Sequence, residues 1–110
     1  MDRIYRYSKE LVNGLCEIFS GDVESIIIYG SVAKGTDTPE SDVDVALILR
    51  NVLDSVHEQL LSEFVTDLNL KYDTVFSVID IEKDEFEKWG DISPFYSNVK
   101  EEGVVLWKAA

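Results

Sequence analysis

Residues 26–49 constrain the fold of this chain more than any other stretch of its sequence. They begin with an apolar run, Ile-Ile-Ile-Tyr, and end with a second apolar run whose first positions carry Asp42 and Asp44. Each run has the length and composition of a buried strand. Because strand side chains alternate between faces, the two aspartates share one face, with their alpha carbons about 6.5 Å apart. The sequence therefore predicts two strands, the second of which opens with paired carboxylates.

The paired carboxylates need a physical reason to be there, since they repel each other and aspartate has a poor strand propensity. A divalent cation removes the repulsion. Mg²⁺ suits this role because it prefers oxygen ligands and usually takes one or two carboxylates together with substrate phosphates. The alternative is that Asp42 is a hydrogen-bonding cap after Ser41. The pair is a candidate metal site and, with it, a candidate catalytic site.

The first strand ends in a Gly-Ser turn. At Gly30 the missing side chain lets another group approach the backbone closely. Ser31 opens a short helical turn, where free amides and a hydroxyl are available to an anion. Lys34 is the basic residue of this segment and could contact a triphosphate, although a solvated turn lysine explains it as well. A phosphate-accepting turn beside a metal-binding carboxylate pair favours phosphoryl or nucleotidyl transfer over an ordinary turn and cap.

The spacing of these residues resembles a known signature. Gly30-Ser31, ten intervening residues and then Asp42-Val43-Asp44 resemble the motif of the nucleotidyltransferase superfamily typified by DNA polymerase beta. The length of 110 residues is similar to that of minimal nucleotidyltransferases, which are often paired with a HEPN-domain protein. Residues 93–106 (SPFYSNVKEEGVVL) also resemble the tail of these small proteins. The resemblance implies nucleotide binding by Gly30, Ser31 and Lys34, with ATP as substrate and Mg²⁺, two ions, as cofactor.

In that superfamily a third carboxylate, from a neighbouring strand, joins the pair. The sequence predicts a third strand over residues 72–81, in which Asp73 and Ser77 lie on one face. Counting back from the following helix places Ser77 where the third acid is expected, while Asp73 lies about 13 Å further along the strand. Asp73 is the candidate third catalytic and metal-binding acid, and a turn residue is its alternative. With Ser77 in that position, catalysis is expected to be slow, to use the acceptor's own base or to be lost.

Three functions follow from the resemblance. The first is a Mg²⁺-dependent protein adenylyltransferase that acts as the antitoxin of a HEPN ribonuclease toxin. The second is a non-catalytic module that masks its partner, which the doubtful third acid favours. The third is a small-molecule nucleotidyltransferase of the aminoglycoside-modifying kind, although those enzymes generally carry an additional domain. No residue pattern distinguishes the base of the nucleotide.

The remaining segments predict one α/β or α+β domain over residues 1–110, a small mixed sheet flanked by helices like that of polymerase beta. Helices are expected at residues 8–19, 53–68, 82–89 and 93–103, with a terminal edge strand at residues 104–107. The net charge of −12 argues against direct binding of nucleic acid and suits a basic protein partner. With one cysteine, no signal peptide and no apolar span long enough for a membrane, we expect a cytoplasmic protein. Self-association stays open.

Overall fold

A computed structural model describes residues 2–110 of the chain, with side chains from residue 4 onward. Five helices and four strands occur in this part of the chain. The helices are α1 (Asp2–Phe19), α2 (Gly30–Lys34), α3 (Ser55–Tyr72), α4 (Lys83–Trp89) and α5 (Pro94–Glu102). The strands are β1 (Val23–Tyr29), β2 (Val43–Leu49), β3 (Phe76–Glu82) and β4 (Val104–Lys108).

The four strands form one mixed sheet in the order β3-β2-β1-β4. β1 pairs antiparallel with both β2 and β4, whereas β2 and β3 run parallel because α3 crosses between them. The predicted α+β fold, with a small mixed sheet flanked by helices, is confirmed. β4 is an edge strand, as the sequence predicted, and β3 is the other edge.

The two faces of the sheet are covered by different helices. On one face α1 and α3 bury the apolar residues of β1 and β2, among them Ile26, Val45 and Leu47. On the other face α4 and α5 cover a smaller cluster, which contains Ile27, Ala46, Ile48, Ile81, Phe86 and Val99. Because side chains alternate along β2, Asp42 and Asp44 fall on the face of Ala46 and Ile48. The paired aspartates therefore lie on the α4–α5 side, at the end where β2 begins.

The predicted third strand was wrong in its first four residues. α3 continues through Tyr72, and β3 begins only at Phe76. Asp73 ends the helix in the left-handed conformation, with φ of 48°, and its N–H donates to the carbonyl of Asn69. The Asn69 side chain also accepts a hydrogen bond from the N–H of Phe76, at 2.8 Å. Asn69 thus organises a turn at the position where alternation alone predicted an extended strand.

Capping residues mark the starts of α5 and α3, whereas α1 starts earlier than predicted. Ser93 accepts a hydrogen bond from the N–H of Tyr96, and Pro94 occupies the first turn of α5, as predicted. Asp54 caps α3 by accepting from the N–H of His57 at 2.8 Å. α1 begins at Asp2, so Ser8, where the sequence predicted the start of the helix, lies inside it. No helix in residues 2–110 is long and apolar enough to cross a membrane.

Candidate active site

The end of β1 and the starts of β2 and β3 lie together at one end of the sheet. Tyr29, the last residue of β1, lies opposite Asp44 near the start of β2. On the other side of β2, Asp44 is level with Ser77 of β3. The Gly-Ser turn follows Tyr29 directly, so it lies next to Asp44 at the end of β1. Asp44 therefore lies between the end of β1 and Ser77, with Ser31 and Asp42 close by along the chain.

Gly30 is shaped by its contact with Asp44. Its backbone has a φ of 75°, a conformation that favours glycine. A Cβ placed on Gly30 would collide with Oδ2 of Asp44 and lie 3.3 Å from its Cγ. The absent side chain thus leaves room for the carboxylate itself. The close approach predicted at this glycine is present, and the approaching group is Asp44.

The electrostatics of the pair favour a bound cation. Burial, and then the neighbouring charge of Asp42, raise the pKa of the Asp44 carboxyl above its usual value. Asp42 itself is exposed, while Asp44 is half-buried. None of the ion pairs among the side chains of residues 4–110 involves either aspartate. Two uncompensated carboxylates on one face form a site whose repulsion a divalent cation would relieve.

The turn after β1 is open to an anion. α2 begins without a side-chain cap. Its N-cap residue, Tyr29, is extended, and the Tyr29 side chain makes no capping hydrogen bond. Gly35 closes the same helix, and its N–H donates to the carbonyls of Ser31 and Val32. Ser31 is half-buried, and its hydroxyl makes no hydrogen bond to any side chain or backbone group of the described chain. Both the first amides of α2 and this hydroxyl are thus available to a ligand.

Lys34 is placed differently from the other candidates. It stands at the opposite end of α2 from Gly30, and its Nζ lies 3.1 Å from a carboxylate oxygen of Glu102 on α5. Both side chains are about half exposed, so the ion pair is weak. Its role in binding a triphosphate stays a prediction, and it requires the lysine to leave Glu102.

Ser77 occupies the strand position beside Asp44, and the structure does not bring Asp73 to the pair. Asp73 is exposed in the turn before β3, three residues ahead of Phe76. Among residues 4–110, no three His, Cys, Asp or Glu side chains form a group that could hold a metal ion. The predicted set of Asp42, Asp44 and Asp73 is therefore not assembled. The αL turn at Asp73 ends α3 and keeps this residue out of β3, so the alternation expected of it does not apply.

The donor set can nevertheless hold Mg²⁺. Two carboxylates on one face supply oxygen ligands, which this ion prefers, and substrate phosphates can complete its coordination. Ser77 adds a neutral hydroxyl where a carboxylate would add a charge. The two ions expected from the resemblance stay a prediction.

Sequence reasoning missed two partners of the site, both on α5. Phe95 packs edge-on against Tyr29, with ring centroids 5.4 Å apart, and Glu102 holds Lys34. The signal for both lay in residues 93–106, which resemble the tail of minimal nucleotidyltransferases. Nothing in the sequence alone showed that α5 would lie along α2.

A mixed sheet that carries a Gly-Ser turn and paired aspartates at the same end of its central strands is typical of nucleotidyltransferases. The family model described as "Nucleotidyltransferase domain" matches residues 8–106, and the chain belongs to that family. The resemblance found in the sequence is confirmed, and the chain is a nucleotidyltransferase of the minimal type.

Known proteins of similar sequence and structure agree with this assignment. The chain is 36% identical over 99 residues to "Putative protein adenylyltransferase MJ0604" of Methanocaldococcus jannaschii, across 90% of this chain and 93% of that protein. Its fold is similar to a chain of a crystal structure described as a toxin-antitoxin with AMP-PNP, with a TM-score of 0.64, 18% identity and coverage of 93% and 73% of the two chains. A third similar chain comes from tri-AMPylated Shewanella oneidensis HEPN toxin in complex with MNT antitoxin. Its TM-score is 0.60 at 16% identity, over 99% of this chain and 74% of the other.

Proposed function

We propose that this chain transfers AMP from ATP to a protein acceptor, and that the acceptor is a HEPN ribonuclease toxin for which it is the antitoxin. The observation that carries the transfer is the contact between Gly30 and the half-buried carboxylate of Asp44. It supports the proposal because it brings the acid that would bind the metal against the turn that would accept the phosphates. The acceptor and the nucleotide base are supported by the relative described as a protein adenylyltransferase and by the similar toxin-antitoxin chains.

In this proposal Asp42 and Asp44 hold Mg²⁺ together with the phosphates of ATP. The bound ion would neutralise the triphosphate and stabilise the developing charge of an in-line displacement. Ser31 and the first amides of α2 bind and orient the phosphates. An acidic chain needs such an ion to admit ATP, because the carboxylates alone would repel it.

The transfer joins an acceptor hydroxyl oxygen to the α-phosphorus and breaks the bond between that phosphorus and the β-phosphate oxygen. Pyrophosphate leaves, and the acceptor proton passes to solvent. Ser77 can donate or accept a hydrogen bond to the acceptor, but a neutral serine hydroxyl is a poor general base near neutral pH. The acceptor must therefore bring a reactive hydroxyl or its own base, and a slow transfer is expected.

The proposed function is tested by mass spectrometry. The protein is incubated with ATP and Mg²⁺, with and without the protein encoded by the neighbouring gene, and the intact mass of both proteins is measured. The partner should gain mass in whole AMP units. Asp42→Asn combined with Asp44→Asn should abolish the gain. A partner that binds tightly but gains no mass would overturn the transfer.

A second candidate function is masking without catalysis, which the serine in the third position favours. The same double variant separates the two functions in cells that express the toxin. If the variant neutralises the toxin as well as the wild type does, the contacts between the proteins are sufficient and the metal site is vestigial. If neutralisation is lost while the complex still forms, transfer is the cause.

Ser77→Asp is expected to strengthen metal binding and to raise the transfer rate. The new carboxylate would stand beside Asp44 on the parallel strand and complete a group of three acids. We expect a gain of at least about 10-fold in rate, because a positioned general base supplies roughly 10²- to 10⁴-fold and the new carboxylate should recover part of it. Initial rates at several Mg²⁺ concentrations give the measurement. Ser77→Asn, similar in size and uncharged, is the matched control, and an equal gain from it would contradict the explanation.

Asp73→Asn is expected to leave transfer within about 3-fold of the wild-type rate. Asparagine tolerates the left-handed conformation at the end of α3, so the turn is kept. The variant removes only the charge of the acid that the sequence proposed as third ligand. Parallel assays of Asp73→Asn and Ser77→Asp measure which position belongs to the site. A large loss in Asp73→Asn would place that acid in the catalytic group.

A further inference from the structure

The start of α5 is joined to the site by aromatic contacts. The Phe95 ring packs edge-on against Tyr29, at an interplanar angle of 84°. Tyr29 in turn lies opposite Asp44 in the β1–β2 pair and directly before Gly30. Only one side chain thus separates Phe95 from the strand position of the metal-binding acid.

Two contacts hold α5 alongside α2. At the start of the helices Phe95 touches Tyr29, and at their ends Glu102 pairs with Lys34. α5 ends beside the end of β1, where Val104 pairs with Ile28, and Phe95 lies about two turns back along the helix, against the ring of Tyr29. Its position is set by the fold and does not depend on a loop.

Phe95 is more exposed than its packing role requires. It keeps 38% of its surface accessible, whereas Phe86 and Val99, which anchor α4 and α5 on the same face, keep 9% and 1%. Its neighbour Tyr96 packs on Phe86 at 5.7 Å and provides the inward contact of this turn. Phe95 contacts the rings of Tyr29 and Tyr96, with centroids 5.4 and 5.8 Å away, and the rest of its surface stays open to solvent.

We propose that the exposed face of Phe95 is the platform on which the base of the nucleotide stacks. This inference rests on the proposed function, since it assumes that a nucleoside triphosphate occupies the turn. Tyr29 lies between the platform and the acid, since it is opposite Asp44 in the paired strands and its ring is 5.4 Å from that of Phe95. The ribose of a nucleotide held at the turn would then lie beside Tyr29.

Stacking accounts for affinity and leaves the identity of the base unspecified. Every base has a π-face, so an aromatic platform accepts all of them, and purines bind best because their ring area is largest. The platform would explain why no residue pattern in the sequence distinguishes one base from another. Loss of a stacked aromatic weakens binding by about 5- to 150-fold.

Equilibrium binding of two ligands to the full chain tests the platform. One ligand is ATP and the other is inorganic tripolyphosphate, both with Mg²⁺, measured by calorimetry on the wild type, Phe95→Ala, Phe95→Leu and Phe95→Trp. We expect ATP to bind at least about 5-fold more weakly to the alanine and leucine variants, with tripolyphosphate unchanged. Phe95→Leu keeps apolar contact with Tyr29, so a weaker affinity of this variant for ATP would show that the π-face itself contributes to binding. Phe95→Trp should bind ATP at least as well as the wild type.

Trp89→Ala is the matched control. Trp89 is exposed to a similar degree, 40%, but its ring contacts Lys88 and not Tyr29. Its removal should leave the affinity for ATP unchanged. An equal loss for ATP and tripolyphosphate in the Phe95 variants would mean that α5 has moved, and would overturn the platform. Unchanged ATP affinity would overturn it too, while leaving AMP transfer intact. A wild type that binds neither ligand would overturn the proposed function and the platform together.

Discussion

Asp44→Asn is expected to lose at least about 100-fold in the rate of AMP transfer. Asp44 is the half-buried member of the pair, its carboxylate lies against Gly30, and its strand position is level with Ser77. Removal of outer partners of metal ligands already costs 10- to 100-fold. A carboxylate in direct contact with the ion should therefore cost at least the upper value. Initial rates at saturating ATP and Mg²⁺ measure the effect.

The same variant is expected to fold at least as stably as the wild type in metal-free buffer. Burial and the charge of Asp42 work against the ionised form of Asp44, and asparagine has the same shape without the charge. A thermal unfolding scan should show an equal or higher Tm. A variant that loses activity and keeps its stability identifies Asp44 as a functional acid, because replacing an acid that stabilises the fold would lower both.

Asp80→Asn is the control for this substitution. Asp80 is an exposed aspartate in the middle of β3, on the opposite face of the sheet from Asp44. Its variant changes the net charge of the protein by the same amount and should transfer AMP at the wild-type rate. Equal losses in both variants would show that total charge, and not the site, sets the activity.

The sequence predicted the site as far as local rules reach. Alternation along β2 placed Asp42 and Asp44 on one face, and the missing side chain of Gly30 predicted a close approach. Both properties depend on neighbouring residues of one segment. The identity of the approaching group, Asp44, depended on the register of β1 against β2, which pairs Tyr29 with Asp44. That register comes from burial across the whole sheet and is not visible in either strand alone.

The error at residues 72–75 has a different physical origin. The run Tyr-Asp-Thr-Val-Phe alternates well enough for a strand, so the period of two was misleading. Asn69 decided the outcome, since its backbone carbonyl accepts from Asp73 and Thr74 and its side chain accepts from Phe76. Such side-chain capping competes with extended structure wherever an asparagine lies near a helix end. The turn explains why Ser77, and not Asp73, is level with Asp44.

Gly30→Ala is expected to lower transfer by about 100-fold, the scale reported for a misplacement of about 1 Å at a reacting centre. The new methyl group would collide with Oδ2 of Asp44. Because that oxygen is the end of a flexible side chain, it can rotate away at little cost in stability. The carboxylate would then move away from the turn that we propose to bind the phosphates. Transfer rates measured beside thermal unfolding separate this displacement from a loss of folding.

Gly35→Ala isolates the cost of the backbone. Gly35 ends the same helix with the same φ of 75°, and a Cβ there meets no atom within 4 Å. Each alanine should lower the free energy of unfolding by about 1–2 kcal/mol, the cost of a left-handed conformation for a residue with a Cβ. Only Gly30→Ala should also lose transfer. If both variants lost transfer equally, the geometry of α2 would control the site and the contact with Asp44 would be incidental. If Gly30→Ala kept full activity, the carboxylate would reach its ligand from more than one position, and the close approach at Gly30 would have no part in catalysis.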